Sequence, residues 1–335
     1  MQLPFSIETF IRFALYVVGF LAFAIFNAVI LGWGERKIMA RIQRRIGPKE
    51  VGPFGLLQIP ADVIKLLAKQ FRTPKGGDTM LFLAAPALAI IPALMSFVAI
   101  PFAPGLLARD INIGLLMVYA FTTVVILGLL VGGWGSRNKY AIISAARAVS
   151  QNVAYEIPML ISVVTVVLIT RTMNLTTIVD QQAGAFWHWN MFRFSASPLL
   201  PVLFIVYIIC MLAETNRTPF DIAEAESELI AGAFTEYSGM GSGLFFLAEY
   251  ANIVVGCSLA VILFLGGWHD PFGFFPGVWW FAAKLYFLVF FVIWVRWTFP
   301  RTQFYSLLNL SWKTLIPLTL GNLLLTGFWI KVFGP

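Results

Sequence analysis

Residues 214–249 read ETNRTPFDIAEAESELIAGAFTEYSGMGSGLFFLAE and hold seven of the chain's 16 acidic residues: Glu214, Asp221, Glu224, Glu226, Glu228, Glu236 and Glu249. On either side run apolar stretches, PLLPVLFIVYIICMLAE at 198–214 and GLFFLAEYANIVVGCSLAVILFLGG at 243–267. Each has the length that crosses a hydrocarbon core of about 30 Å. The acidic stretch therefore lies between two membrane spans, and Glu249 falls inside the second. In a soluble protein such a segment reads as a solvated loop with a helix cap. At membrane depth carboxylates are expensive and persist mainly where they carry ions, protons or ligands.

The composition agrees. Hydrophobic residues make up 59% of the 335 residues and charged ones 12%, against about a quarter charged in globular domains. The expected fold class is all-α: one polytopic membrane domain over 1–335, with eight spans near 8–33, 80–103, 112–134, 157–175, 198–214, 243–267, 276–297 and 314–332. Pro158, Pro198 and Pro201 are read as lying near helix starts, where proline is tolerated. Pro86 and Pro92 fall inside the second span and predict kinks. No cleavable signal peptide is expected, because the first apolar run is too long and ends in Arg36-Lys37.

Orientation follows from the basic residues. With the N-terminus outside, the inside loops are 34–79, 135–156, 215–242 and 298–313. They hold or border 17 of the 23 Lys and Arg residues. The positive-inside rule then places both termini outside. The net charge of +7 is thereby explained without nucleic acid. In the first inside loop, PFGLLQIPADVIKLLAKQ (53–70) has apolar residues at helical spacing, with Asp62, Lys65 and Lys69 on another face. It is too short and too charged to span, and predicts an amphipathic helix at the interface.

Some chemistry is disfavoured. Cys210 and Cys257 lie in apolar runs without CxxC or Cys/His spacing, and His188 and His269 fall in separate loops. They give no support to a protein-bound metal or iron–sulfur centre. There is no Ser/His/Asp set and no phosphate-binding glycine loop. The Asn174-Leu-Thr176 sequon is a weak signal.

Three constellations remain. GWGERKIMARIQRRIGP (32–48) places Glu35 beside Arg36 at the inner end of the first span, and is read as an acid paired with arginine. Its basic run suits topology or anionic lipid equally well, and the Arg36 fork could also reach a carbonyl headgroup. GWGSRNKYAIISAARAVSQNVAYEIPM (133–159) offers small residues for close helix packing. Its Arg147 and Glu156 are nine residues apart, about 14 Å along a helix, and form no direct pair. Glu156, before Pro158 at the mouth of the fourth span, suits either transport or a structural helix end. In the opening stretch, Asp221 is a candidate N-cap with Glu224 at capping-box spacing. Glu224 and Glu228 share a helix face, where like charges repel and protons are shared. A carboxylate chain of this kind can relay protons or bind a cation. The lack of a dense cage of Asn, Ser and Thr oxygens disfavours a dedicated cation site. Beside the basic run and the amphipathic helix, a cavity for an amphiphile such as a quinone is permitted but not compelled.

The segments GERKIMARIQRRIGP, GPFGLLQIPADVIKLLAK, NKYAIISAARAVSQNVAYEIP and ETNRTPFDIAEAESELIAGAFTEYSGM, in this order, closely resemble one membrane-arm family of respiratory complex I, the proton-pumping NADH:quinone oxidoreductase. The resemblance covers about residues 15–330. It implies a chain without a redox centre of its own, which forms the entrance and tunnel for quinone and docks the peripheral arm. It also implies an acidic channel linking quinone chemistry to the pumping subunits. By motif position, Glu35, Asp62, Glu156, Glu214, Asp221, Glu224, Glu226, Glu228 and Glu249 carry over to that network, and Arg36 and Lys65 to the quinone cavity. Glu236 belongs to the motif with a less defined role. The implied partners are the other membrane-arm subunits, the quinone-site subunits of the peripheral arm, quinone and the lipid bilayer. FMN, NADH and iron–sulfur clusters are expected in partner subunits. The implied location is an energy-transducing membrane, the bacterial inner membrane. Two alternatives stay open: the homologous chain of ferredoxin-, F420- or hydrogenase-linked complexes, and a free-standing cation transporter.

Overall fold

The computed structural model describes residues 7–194, 197–222 and 231–333. Glu224, Glu226 and Glu228, and the capping box that includes Glu224, lie outside the described residues. The elements, in chain order, are α1 (Ile7–Ile42), α2 (Gln58–Ala68), α3 (Thr79–Ser96), α4 (Gly114–Gly135), α5 (Lys139–Thr170), α6 (Leu175–Asp180), α7 (Leu200–Glu214), α8 (Met240–Phe264), α9 (Val278–Thr298) and α10 (Phe304–Leu310). A π-helical turn, Ser311–Leu315, leads into α11 (Ile316–Phe333). Among the described residues, seven helical segments are long and apolar enough to cross a membrane, the last running from Phe304 to Val332 through the π turn. The eighth expected span, α7, has 15 residues, and its inner neighbours cover it: Leu203, Tyr207, Cys210 and Ala213 are fully buried. The fold is thus the expected all-helical membrane bundle, and α2 is the amphipathic helix expected in the first inside loop.

Several boundaries differ from those read in the sequence. α1 does not stop near residue 33 but continues to Ile42, so GERKIMARI forms its last turns. α5 begins at Lys139, capped by Asn138 Oδ1, which accepts from the Tyr140 N–H. The stretch 135–156 is therefore mostly helix, and Glu156 and Pro158 sit in mid-helix rather than at a span's mouth. Hydropathy locates the apolar part of a helix but not helical turns that carry polar residues beyond it.

The interior prolines show why the helices persist. Proline has no N–H, so the carbonyl four residues earlier loses its helical donor. Pro158 frees the Ala154 carbonyl, which accepts from Ser311 Oγ. Pro86 frees the Phe82 carbonyl, which accepts from Tyr237 Oη at 2.9 Å. Both partners come from distant chain, so each potential break becomes a tie between elements. α3 runs without interruption through Pro86 and Pro92.

Close approaches set the packing of α3, α4 and α8. A Cβ on Gly128 would lie 2.9 Å from the Ala89 nitrogen, so only glycine lets α4 sit against α3. Gly239, at φ +56°, starts α8, and a Cβ there would meet the Lys69 carbonyl at 2.9 Å. That contact brings the end of α2 onto the beginning of α8. At the opposite end of α8, Lys284 Nζ donates to the carbonyls of Leu265 (2.6 Å), Gly267 (3.1 Å) and His269 (2.5 Å). A cation closing orphan carbonyls at a helix C-terminus is favourable on both hydrogen-bond and dipole grounds.

Candidate functional site

The site begins where α7 ends. Asn216, in the left-handed region at φ 49°, turns the chain after Glu214 and Thr215. Gln151 of α5 holds this turn, its Nε2 donating to the carbonyls of Ala213 and Phe220, both at 2.7 Å. The loop so fixed projects Arg217 into the bundle, where it is 3% exposed. A buried guanidinium needs compensating charge. Arg217 finds two carboxylates, Glu249 of α8 at 2.8 Å through Nε and Glu35 of α1 at 3.5 Å through Nη1. Its guanidinium also lies over the Tyr250 ring, 4.9 Å from the centroid. Glu35 in turn pairs with Arg296 of α9 and accepts from Tyr250 Oη at 2.9 Å. Four parts of the chain thus converge on one cluster of two acids and two arginines.

This corrects one expectation. Glu35 is not paired with its neighbour Arg36. Adjacent helical residues diverge by about 100°, so Glu35 faces inward to Arg217 and Arg296. Arg36 faces α2, with Nη1 2.7 Å from Asp62. Asp62 also accepts from Gln58 Nε2 at 3.2 Å and lies 3.9 Å from Lys65 Nζ. Gly32 lets the two helices meet, since a Cβ there would be 3.1 Å from Ile59 Cδ1. Arg36, Asp62 and Lys65 therefore form a second, partly exposed cluster that docks α2 on α1.

Beyond Glu249 lies a cavity of about 60 Å³ among α3, α4, α7 and α8. Glu214, Glu249, Asn252, Thr122, Tyr119 and Tyr207 lie on its wall. That volume holds a few waters. Asn252 Oδ1 is buried there without a protein donor among the described residues, and a water is the usual partner of such an atom. Thr122 donates to the Tyr119 carbonyl at 3.0 Å and shares this wall with Glu214. Its neighbour Thr123 donates to Glu156 Oε1 of α5 at 2.5 Å. Tyr119 and Tyr207 meet hydroxyl to hydroxyl at 3.4 Å on the same wall. The consecutive threonines of α4 thus stand between the two acids, Thr122 on the cavity wall with Glu214 of α7 and Thr123 bonded to Glu156 of α5.

The remaining residues lie further out. Asp221 pairs with Arg301 at 3.1 Å, tying the loop after α7 to the chain after α9. Glu236 accepts from Asn138 Nδ2 at 2.7 Å, joining the start of α5 to the segment before α8. The cysteines are buried free thiols. Among the described residues, no group of three His, Cys, Asp or Glu converges in a way that could hold a metal ion. Of the nine acids singled out, the structure brings Glu35, Glu249, Glu214 and Glu156 into one interior series and places Asp62 and Asp221 at its flanks. Sequence reasoning missed Arg217, Arg296 and Tyr250. Both arginines counted only as inside charges, although an arginine within the last turn of a span, as Arg296 is, has few ways to stay solvated.

Comparison with known proteins shows the family of the chain. The family described as NADH dehydrogenase matches residues 15–327. A relative from Desulfotalea psychrophila, named as the H subunit of NADH-quinone oxidoreductase, is 58% identical over 318 residues, covering 94% of this chain and 96% of the relative. Proteins of the same name are 43% identical in Carboxydothermus hydrogenoformans, over 95% of this chain and 89% of the relative, and 42% identical in Dehalococcoides mccartyi, over 97% and 89%. The chain belongs to the NADH dehydrogenase family, among the multi-pass membrane subunits of NADH-quinone oxidoreductases.

Proposed function

We propose that the chain couples quinone reduction to proton translocation in an NADH-quinone oxidoreductase, as a subunit that admits quinone and passes its charge signal inward. The observation that carries this reading is the sharing of Arg217 by Glu35 and Glu249 beside the Glu214 cavity. One cation between two acids is a two-position device. Protonation of Glu35 frees Arg217 to bind Glu249 alone; protonation of Glu249 returns it to Glu35. Quinone reduction takes up protons at a carbonyl oxygen, so a proton drawn from this end of the series displaces the arginine. The displacement changes how strongly Glu249 holds its own proton. Glu249, left without the guanidinium, takes up a proton through the cavity water from Glu214, and Thr123 of α4 leads on to Glu156. Glu224, Glu226 and Glu228 are assigned to the same network by motif position alone. Asp221 keeps the loop in place.

The quinone arm of the proposal rests on α2. Arg36 and Lys65 offer hydrogen-bond donors to a carbonyl headgroup at the place where α1, α2 and α8 meet, with apolar surface for the tail. The electron path, with its FMN and iron–sulfur clusters, belongs to partner subunits, and NADH is oxidised there. The membrane is the bacterial inner membrane, with the basic loops and the docked peripheral arm on the cytoplasmic side. Replacing Glu214 by Gln keeps shape and removes the titratable group. In the purified complex, reconstituted in liposomes, this variant is expected to assemble and to lose most proton translocation. Undiminished translocation would overturn the coupling role.

A further inference from the structure

We propose that the groove between α1 and α9 holds one anionic phospholipid, its phosphodiester on Lys37 and Arg41 and its chains along the lipid-facing side of both helices. The groove lies on the side of α1 opposite the Glu35 cluster. On α1, residues 33, 37 and 41 recur every four positions and form one stripe. At this inner end Trp33, Lys37, Arg41, Phe54 and Phe290 enclose a cavity of about 440 Å³. Eighteen residues earlier, five full turns and about 27 Å along the axis, the same face carries Tyr16, Gly19 and Phe23. These line a second apolar cavity of about 490 Å³ against Leu285 and Tyr286 of α9. Phe26, 59% exposed, lies on the stripe between them.

Three observations specify the occupant. First, among the described residues neither Lys37 nor Arg41 has a carboxylate partner, whereas Glu35, Asp62, Asp221 and Glu249 each hold an arginine. An anion is what the pair lacks. Second, the cations stand above an aromatic and aliphatic floor that continues into the span, so the anion must carry an apolar body. A nucleotide or a free phosphate would leave that floor wet, and a neutral quinone head would leave the two charges uncompensated. Third, the rim is built. Trp33 Nε1 donates to the Phe54 carbonyl at 3.2 Å, which fixes an indole at headgroup level and holds Phe54, 77% exposed, over the opening. Basic pockets between spans at the headgroup level suit phosphodiester recognition, and tryptophan anchors at the same depth.

The test uses the intact complex. Lipid released from the detergent-purified complex is counted by phosphorus assay and identified by mass spectrometry, for the wild type and for a Lys37→Gln/Arg41→Gln variant. The control is Lys75→Gln, a loss of charge at a position away from the groove. Wild type and control are expected to retain one more tightly held anionic phospholipid per complex than the double variant. Equal lipid content in all three would overturn the proposal. So would a double variant that keeps its lipid but sheds a partner subunit, since the cations would then serve an acidic protein segment. Should the double variant fail to assemble, a photoactivatable phosphatidylglycerol in wild-type membranes decides. Labelling of the peptide spanning 33–56 is expected, and labelling confined to other regions would contradict the site.

Discussion

Arg217 is the residue on which the interior charges depend. Two helices separated by more than two hundred residues in sequence direct acids at it, and it has little contact with solvent. Removing one partner of a buried charge cluster costs about 3–5 kcal/mol, because the groups left behind remain desolvated. Arg217→Met is therefore expected to lower the melting temperature of the purified complex or prevent its assembly. A variant with wild-type melting would contradict the pairing. Arg217→Lys keeps the charge but loses the planar fork that reaches both acids. It is expected to assemble and to respond less to Glu35→Gln than the wild type does. At this scale the sequence was only half legible. The carboxylates stood out because acid in an apolar chain is costly wherever it lies. Their cations did not, because a basic residue near a span end already has an explanation in topology. One partner of Glu35 lies 182 residues away, and its adjacent arginine was the natural but mistaken choice.

At the scale of elements, the helices are held by contacts that make no use of hydropathy. The Phe82 carbonyl, released by Pro86, depends on Tyr237. Tyr237→Phe strands a buried acceptor and is expected to cost about 1–3 kcal/mol, read as a lower midpoint in thermal unfolding. An unchanged midpoint would mean that the carbonyl is satisfied otherwise. Gly128→Val forces methyl groups onto the α3 backbone, with an expected cost of about 1–3 kcal/mol or more. The docking of α2 rests on Asp62, which pairs with Arg36 of α1 and accepts from Gln58 of its own helix, with Lys65 close by. Asp62→Asn is expected to leave NADH oxidation by an artificial acceptor intact and to slow quinone reduction. Equal loss of both would point to misassembly. The spans were legible as apolar runs of the right length, and α2 as a 3.6-residue pattern with a charged face. Their ends were not. α1 and α5 extend by several turns through Arg, Lys, Asn and Gln, residues that lower the hydropathy to that of a loop without breaking a helix. Pro158, a breaker in isolation, is accommodated because Ser311 takes the carbonyl it frees.

At the scale of the whole molecule, the proposed function has the chemistry enter on the basic side and pass into the bundle along the interior acids. The orientation is accessible to experiment. The two native thiols are buried, so an introduced surface cysteine is labelled against a low background. His188→Cys is expected to react with an impermeant maleimide added from the periplasmic side of intact cells, and Lys75→Cys only after the membrane is opened. The reverse pattern would invert the topology. The most direct test of the coupling account is the ratio of protons translocated to NADH oxidised in proteoliposomes containing the complex with Glu249→Gln. Glutamine keeps the size and the hydrogen-bonding reach of Glu249 but cannot exchange a proton with the cavity. The expected result is an assembled complex in which this ratio falls severalfold while electron transfer to an artificial acceptor is retained. A Glu249→Gln complex that pumps with the wild-type ratio would contradict it.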